Sequence, residues 1–255
     1  MRSWATAALA SALLGTLLAA APARANQSGY LYTYALQDQR YDDGIFSFDA
    51  YKPLGSSDAA LKPFVDLFLN DDSRTVGGPI PQIFEDDYGG LEAGLQYTRP
   101  SGLRVFLQGG ATTRIGAVAA VPSGGDVRGG VQLYREWTAR AHPQVYGNAY
   151  LSQTYYSRYA DAISYDQLEI GRHQGGVRGI DLFARGVLNL DTHAYYYANL
   201  TELTLGVRFH PFGAHGPSLS FEEAAGSYLR NLPRPHGTGL FYTDFRPTFT
   251  YGANI

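Results

Sequence analysis

Apolar and polar side chains alternate along two stretches of this chain, and that alternation restricts the fold more than any other feature of the sequence. Residues 180–188 and residues 202–209 place mostly aliphatic side chains at every second position. A period of two puts the two sets on opposite faces of a β-sheet. The polar set includes Asp181, Arg185, Glu202 and Arg208. The fold is therefore all-β, either a soluble sandwich with its charges outward or a membrane barrel with its charges inward.

The N-terminal residues 1–25 have the pattern of a secretory signal peptide. Arg2 supplies a positive start, an Ala- and Leu-rich run covers residues 5–21, and Ala23-Arg24-Ala25 fits the small-x-small cleavage pattern. A transmembrane anchor is the alternative, but the run is rich in alanine and ends at a cleavage site. The sequence therefore predicts an exported protein whose β-domain covers residues 26–255.

The composition favours the membrane barrel and excludes several other classes of protein. There are no cysteines, so neither disulfides nor thiolate metal sites stabilise the fold. A closed barrel in lipid is stable without them, because each strand is hydrogen-bonded to two neighbours and no edge remains. The 20 tyrosines suit both strands and membrane interfaces. A net charge of −3 gives no basic excess for binding nucleic acid. No run of about 18 apolar residues follows the signal peptide to form a spanning helix.

Turn signals divide the remaining chain into alternating segments. Residues 99–102 are predicted to form a tight hairpin turn, His142-Pro143 a second turn, and residues 70–87 and 155–162 loops. The alternation is weakest around residues 163–173. An even number of strands of about 9–11 residues, with loops that tend to alternate short and long, is typical of membrane barrels. The sequence thus predicts a closed antiparallel up-and-down transmembrane β-barrel of about twelve strands.

The last strand leads to the same prediction. Apolar side chains from Phe245 to Ile255 alternate with Arg246, Thr248 and other polar or small residues. Many outer-membrane barrels end in a similar strand, whose aromatic residues and final hydrophobic residue are an assembly signal. Here the last residue is Ile255 rather than the usual phenylalanine. We therefore expect the outer membrane of a Gram-negative bacterium as the location, with outer-membrane lipid and the barrel-assembly machinery as partners.

Charged residues on the face opposite the aliphatic one are the candidate functional residues. In a barrel they would point into the lumen and contact a polar solute. The structural alternative, which we favour, is that Asp/Glu–Arg pairs between adjacent strands fill the interior and fix the register. Arginine suits such pairs because its guanidinium binds a carboxylate with two hydrogen bonds. The predicted lumen residues are Asp49, Asp66, Glu92, Arg104, Arg128, Asp181, Arg185, Glu202, Arg208 and Arg246.

Motifs for catalysis and metal binding are sparse. The sequence has no G-x-S-x-G motif and no histidine pair with metalloprotease spacing. Residues 191–193 (Asp-Thr-His) are the best catalytic candidate, but three consecutive residues do not face one another, and Asp191 fits a turn. The acidic residues 85–87, with Asp71 and Asp72, are interpreted as solvated loop charge rather than as a cation site. The sequence therefore predicts a protein that is not an enzyme and that has no cofactor and no metal.

Two stretches resemble a known group of envelope proteins. Residues 188–213 contain Asp191-Thr192, a turn and a Glu-x-x-x-Gly-x-Arg strand, and residues 242–252 contain Asp244-Phe245-Arg246; the residues that match the first pattern are Asp191, Thr192, Tyr196, Tyr197, Asn199, Glu202, Gly206 and Arg208. They are similar to the C-terminal barrel of bacteriophage adsorption protein A and of related outer-membrane proteins linked to exopolysaccharide export. That family places a large helical-repeat periplasmic region before its barrel, whereas here the barrel follows the signal peptide. The resemblance therefore implies a separate periplasmic scaffold protein and a polysaccharide as partners.

Taken together, the sequence predicts an outer-membrane β-barrel that serves as a pore or surface component in envelope transport, for a polysaccharide or another polar solute, or as a phage or surface receptor. Two alternatives stay open: a rim-active outer-membrane enzyme that modifies lipid, with His173 or His193, and a soluble periplasmic β-barrel or sandwich that binds a ligand. Sugar rings stack on tyrosine faces, although a girdle at the membrane interface explains tyrosine-rich segments equally well. The candidate aromatic contacts are Tyr155, Tyr156, Tyr159, Tyr195, Tyr196 and Tyr197.

Overall fold

The computed structural model describes residues 29–39, 43–56, 59–72, 87–115, 123–174, 179–192, 199–213, 216–229 and 239–254. Twelve β-strands account for most of these residues. The strands are β1 (Tyr30–Asp38), β2 (Asp43–Pro53), β3 (Leu61–Asp72), β4 (Tyr88–Thr98), β5 (Leu103–Arg114), β6 (Gly124–Ala139), β7 (His142–Tyr156), β8 (Asp161–Gln174), β9 (Ile180–Asp191), β10 (Leu200–Phe209), β11 (Ser218–Tyr228) and β12 (Phe241–Asn254).

The strands form a closed barrel in which each strand is antiparallel to its neighbours in the sequence. The ring is completed by β1 and β12, which pair from Tyr30 opposite Asn254 to Leu36 opposite Thr248. The prediction of a closed antiparallel up-and-down barrel of about twelve strands is confirmed. Among the described residues, no helix is long and apolar enough to cross a membrane.

The connections between strands lie at two rims. We call the end where β1 begins and β12 ends the terminal rim, and the opposite end the loop rim. The terminal rim has the connections 54–60, 99–102, 140–141, 175–179 and 210–217. The loop rim has 39–42, 73–87, 115–123, 157–160, 192–199 and 229–240. The longest connections are therefore at the loop rim, which agrees with the predicted alternation of short and long loops. Two connections at that rim, 39–42 and 157–160, are nevertheless short turns.

The sequence predicted one hairpin turn correctly and misplaced another. Residues 99–102 form the predicted turn: Gly102, with a φ of 82°, donates its N–H to the Arg99 carbonyl at 3.0 Å. The turn predicted at His142-Pro143 is wrong by two residues, because the chain turns at 140–141 and His142 begins β7. A register shift at Thr138/Ala139 leaves Pro143 outside the hydrogen-bonded ladder, so the missing N–H of proline costs no strand pairing.

Two predicted loops are shorter than the sequence indicated. Tyr155 and Tyr156 belong to β7 and pair with Ala162 and Asp161 of β8, so the connection there is only 157–160. The weak alternation of β8 comes from Ser164 and Asp166 on its outer face. Residues 70–72 belong to β3 and pair with β2 and β4. The rest of that predicted loop lies outside the described residues, apart from the buried Asp87.

The two faces of the barrel wall have opposite chemistry. Large aliphatic side chains point outward on most strands and are exposed, among them Leu61, Leu91, Leu95, Leu107, Leu203 and Leu205. Polar and charged side chains point into the lumen and are mostly buried. The outer face has a few polar exceptions: Glu223 lies between Leu205 and Phe245, and Asp166 lies between Leu151 and Leu188. The predicted division of the strands into an aliphatic and a charged face is confirmed.

Aromatic rings lie flat against the inner wall at glycine positions. A Cβ built on Gly206 of β10 would be 2.3 Å from the Phe183 ring of β9, and one on Gly90 of β4 would be 2.3 Å from the Phe68 ring of β3. Gly171 makes room for Tyr146 in the same way, at 2.3 Å. Glycine is thus required at these places because a neighbouring ring occupies the space of a side chain.

We expect Gly206→Ala to lower the free energy of unfolding of the barrel by about 1–3 kcal/mol, the usual cost of overpacking. Urea unfolding of the protein folded in detergent micelles measures this effect. Gly186→Ala is the matched control, since Gly186 is on the adjacent strand, points outward and has no atom within 4 Å of a built Cβ. Equal stability of the two variants would show that the Phe183 ring moves aside freely.

Candidate functional site

The lumen is the candidate functional site, because all ten charged residues predicted to face it do so. Their side chains alternate with the exposed aliphatic residues of the same strands, and most of them contact another polar side chain along the inner wall. Together with their partners they form three clusters, on β7–β11, on β10–β12 with β1, and on β1–β6, which are described in that order.

The first cluster is built on two guanidinium–carboxylate pairs. Arg208 of β10 donates from Nη1 and Nη2 to the two carboxylate oxygens of Glu169 on β8, each at 3.0 Å. Arg185 of β9 pairs with Glu222 of β11, and its Nη1 lies 3.9 Å from Glu169 Oε2. Both carboxylates are almost fully buried. The four groups therefore neutralise one another on this wall of the lumen.

Two histidines meet one carboxylate at the terminal-rim side of this cluster. The Nδ1 atom of His173 is 2.7 Å from Asp181 Oδ1, and the Nε2 atom of His210 is 3.0 Å from Asp181 Oδ2. The Tyr146 hydroxyl donates to Asp181 Oδ2 at 3.3 Å and its ring stacks on His173, with 4.7 Å between the ring centroids. Among the described residues, neither imidazole is hydrogen-bonded to a serine or threonine hydroxyl.

The second cluster surrounds Arg246 of β12. Its Nη1 and Nη2 atoms donate to the two oxygens of Glu202 on β10, at 2.7 and 2.8 Å. Its Nε contacts Asp244 and lies 4.0 Å from Asp38 of β1. Glu202 also accepts a hydrogen bond from the Tyr242 hydroxyl at 2.9 Å. One guanidinium thus contacts carboxylates from three strands next to the seam between β1 and β12.

The third cluster lies on the opposite wall. Arg128 Nε is 2.8 Å from Asp126 Oδ2 and 3.2 Å from Glu92 Oε1. Gln108 donates to Glu92 at 2.6 Å and to Asp66 at 3.1 Å. Asp49 of β2 accepts a hydrogen bond from the Tyr30 hydroxyl at 3.2 Å. The carboxylates of this wall are held by amide and hydroxyl donors as well as by arginine.

In the first and third clusters, arginines stack on aromatic rings. The Arg104 guanidinium lies over three rings, at 4.7 Å from Tyr51, 4.9 Å from Phe64 and 4.5 Å from Phe106. Arg128 lies 4.1 Å over Phe68, and Arg208 lies 4.3 Å over Phe183. Since Phe68 and Phe183 rest on Gly90 and Gly206, the wall has glycine, ring and guanidinium in successive layers. Such cation–π contacts hold the charges in place.

The closest arginine–carboxylate pairs between strands join alternate strands, whereas the sequence predicted pairs between adjacent strands; the adjacent-strand pairs Arg185–Glu169 and Arg246–Asp38 are longer, at 3.9 and 4.0 Å. Arg208–Glu169, Arg185–Glu222, Arg246–Glu202 and Arg128–Glu92 each skip one strand. The inner face of a barrel is concave, so it brings side chains two strands apart toward each other, and arginine is long enough to span the gap. The structural interpretation, in which charged side chains pair with one another and line the lumen wall, applies to most of the ten residues. Oδ1 of Asp49, Oδ1 of Asp66 and Oε1 of Glu92 are buried and accept no hydrogen bond from the described part of the chain, although Glu92 Oε1 lies 3.2 Å from Arg128 Nε.

The aromatic candidates lie in different environments. Tyr155 points outward with 49 % of its surface exposed, whereas Tyr156 faces the lumen beneath Arg128, 5.2 Å from the guanidinium. Tyr159 is buried in the 157–160 turn near Arg158. Residues 195–197 lie outside the described residues. Sequence reasoning missed several lumen tyrosines, among them Tyr30, Tyr32, Tyr34, Tyr150 and Tyr165, although a period of two in β1 was a signal for the first three.

The remaining catalytic candidates that lie among the described residues make structural hydrogen bonds. Asp191 donates its N–H to the side-chain oxygen of Asn199 at 2.8 Å, and the Asn199 amide donates to the Asp191 carbonyl at 2.9 Å. Thr192 donates its hydroxyl to the Ala162 carbonyl at 2.9 Å. His193, Glu85 and Asp86 lie outside the described residues. No group of three or more metal-ligating side chains was found in the described part of the chain.

Comparison with known proteins gives a likeness of architecture only. No protein-family model and no curated protein sequence matches the chain. The β-domain of the Bordetella autotransporter BrkA is 15% identical over 88% of this chain and 98% of its own, with a TM-score of 0.44. The NanC porin is 10% identical over 88% and 99%, with a TM-score of 0.43. LpxR from Salmonella typhimurium is 12% identical over 87% and 99%, with a TM-score of 0.40. The assignment of this chain as a closed antiparallel β-barrel therefore rests on its own strand pairing.

Proposed function

We propose that this chain is an outer-membrane β-barrel whose lumen is a passage for polar solutes. The observation that carries this proposal is the distribution of side chains across the wall. Leucines such as Leu61 and Leu107, with exposed fractions of 61 and 63 %, point outward, and arginine–carboxylate pairs point inward. In a soluble barrel the outer face would be polar, whereas lipid solvates an aliphatic face and water solvates a charged lumen.

Space for solute inside the barrel is indicated by Tyr32. This residue lies on the lumen face of β1, opposite Gly252 of β12, and 41 % of its surface is exposed. A side chain inside a closed barrel can be exposed to that extent only if an open, water-sized space adjoins it. The ion pairs described above line the wall and leave this space next to β1.

Location is tested by fractionating cells that express the full chain. We expect the processed protein in the outer-membrane fraction, and after detergent extraction a gel mobility that changes on heating, because a folded barrel resists detergent until it is boiled. Recovery of the protein in soluble periplasmic extract would contradict the proposal and support the alternative of a periplasmic ligand-binding barrel.

Passage is tested by adding the refolded protein to a planar lipid bilayer in potassium chloride. We expect discrete conductance steps, since polar side chains and water occupy the lumen. Protein whose folded state has been verified by heat-dependent gel mobility and that gives no steps would exclude a passage. It would leave the receptor or structural role suggested by the phage adsorption resemblance. A periplasmic scaffold, an exported polysaccharide and the barrel-assembly machinery stay hypotheses about partners.

A further inference from the structure

The three clusters of the lumen contain more carboxylates than guanidinium groups. Their five guanidinium groups are those of Arg104, Arg128, Arg185, Arg208 and Arg246. Their ten carboxylates are those of Asp38, Asp49, Asp66, Glu92, Asp126, Glu169, Asp181, Glu202, Glu222 and Asp244. Lys62 and Glu136 also lie at lumen-facing positions and add one charge of each sign. The described part of the lumen wall between the rims therefore has an excess of negative charge.

This excess is present in every cluster. In the first, Asp181 is additional to the two guanidinium–carboxylate pairs, although protonation of one of its histidine partners would balance it. In the second, one guanidinium contacts three carboxylates. In the third, Arg104 donates to the amide oxygens of Gln96 and Gln132, at 2.7 and 2.9 Å, rather than to a carboxylate. The second and third clusters therefore contribute most of the excess.

Asp49 and Asp66 are the carboxylates of the third cluster that form no ion pair with an arginine of the described structure. Asp49 accepts a hydrogen bond from Tyr30, and Asp66 accepts one from Gln108, each through Oδ2. The Oδ1 atoms, which accept none, belong to carboxyl groups that lie within hydrogen-bonding distance of each other. A carboxylate cannot donate a hydrogen bond. One shared proton would satisfy this contact and still leave the pair with one negative charge.

The charge of this pair lies beside the open space of the lumen. Asp49 is directly opposite Tyr32 in the register of β1 and β2, and the exposure of Tyr32 is what indicates that space. Arg104 is within electrostatic range of Asp49 but forms no ion pair with it. Charges of one sign on the wall of a low-dielectric cavity raise the local concentration of counter-ions. Cations are therefore favoured in this space, and anions are disfavoured.

We infer that the passage prefers cations to anions and that the carboxylate pair Asp49–Asp66 is a main determinant of this preference. The inference rests on the proposed passage. It goes beyond that proposal by naming the sign of the charge that the lumen favours and two residues that set it.

The preference is measured as the reversal potential across a planar bilayer that separates concentrated from dilute potassium chloride at neutral pH. We expect a potassium-to-chloride permeability ratio of about 10, the lower end of the counter-ion enrichment in charged clefts. The double variant Asp49→Asn with Asp66→Asn should lower this ratio by about twofold or more, because it removes the charge of the pair whether or not the two carboxyl groups share a proton.

The double variant Asp166→Asn with Glu223→Gln is the matched control. It removes two carboxylates from the outer face of the wall, so the permeability ratio should not change. Heat-dependent gel mobility verifies that both double variants are folded. The wild-type ratio tests the preference itself even if a variant does not fold.

The outcomes separate this inference from the proposed function. A conducting wild type with a permeability ratio of one or below would overturn the cation preference and leave the passage in place. A ratio above one that the lumen variant lowers no more than the control does would overturn the role of Asp49 and Asp66. A folded wild type without conductance steps would overturn the passage, and the cation preference with it.

Discussion

Replacing Arg246 by glutamine should destabilise the folded barrel by about 3–5 kcal/mol, the usual effect of removing one partner from a buried ion pair. The substitution leaves Glu202, Asp244 and Asp38 without the guanidinium that holds them, and the side chain of Arg246 is only 14 % exposed. Urea titration of the barrel in lipid vesicles measures the loss, with the folded fraction read from heat-dependent gel mobility.

Two further variants make this result specific. Arg140→Gln removes the same charge from the exposed 140–141 turn and should change the stability by less than about 0.5 kcal/mol, as at most surface sites. Arg246→Lys keeps the charge but cannot make the bidentate contact with Glu202. We therefore expect a loss of stability between those of Arg140→Gln and Arg246→Gln. If Arg246→Gln and Arg140→Gln unfolded at the same urea concentration, the cluster would contribute nothing to stability.

Placing arginine at Leu107 should prevent or strongly weaken folding in a bilayer. Leu107 is in the middle of β5 and points outward beside Leu95 and Gly129. A charge on the lipid face costs about 2–4 kcal/mol at the bilayer midplane and about 0–1 kcal/mol near the interface. Leu61→Arg, at the terminal rim, is the matched control because it makes the same substitution where β3 begins. The yield of folded protein in vesicles and its urea midpoint report the difference.

The same pair of variants discriminates between a membrane barrel and a soluble one. In water an exposed leucine on the outer face is already solvated, so either arginine should be tolerated equally. A folded, water-soluble Leu107→Arg variant as stable as Leu61→Arg would therefore refute the membrane proposal, whatever the conductance measurements showed.

The sequence predicted which face ten of the charged residues occupy, but not which residues they contact. A period of two is a local property of the chain, so Asp181, Arg185, Glu202 and Arg208 were assigned to the lumen from their positions alone. Their partners depend on the curvature and shear of the closed sheet, which no short stretch encodes. Arg208 is directly opposite Asp181 in the strand register, yet its guanidinium binds Glu169 one strand further on.

The lumen tyrosines illustrate the same limit. Tyr30, Tyr32 and Tyr34 alternate visibly in the sequence, but Tyr150 and Tyr165, which point inward from the other side, are on β7 and β8, across the barrel from β1. Consecutive tyrosines in a strand cannot both face the lumen, since neighbouring residues point to opposite faces. Tyr155 and Tyr156 of β7 do so, and only Tyr156 faces the lumen.

The pairing of β1 with β12 has a consequence for the rate of assembly. Tyr30 and Asn254 come from the two ends of the described chain, so bringing them together has one of the largest loop-closure entropies in the fold. Until that seam forms, both strands have unpaired N–H and C=O groups with which a strand of a second, incompletely folded chain can pair. Aggregation therefore competes with the last step of closure, and the speed of that step decides how much protein reaches the native state.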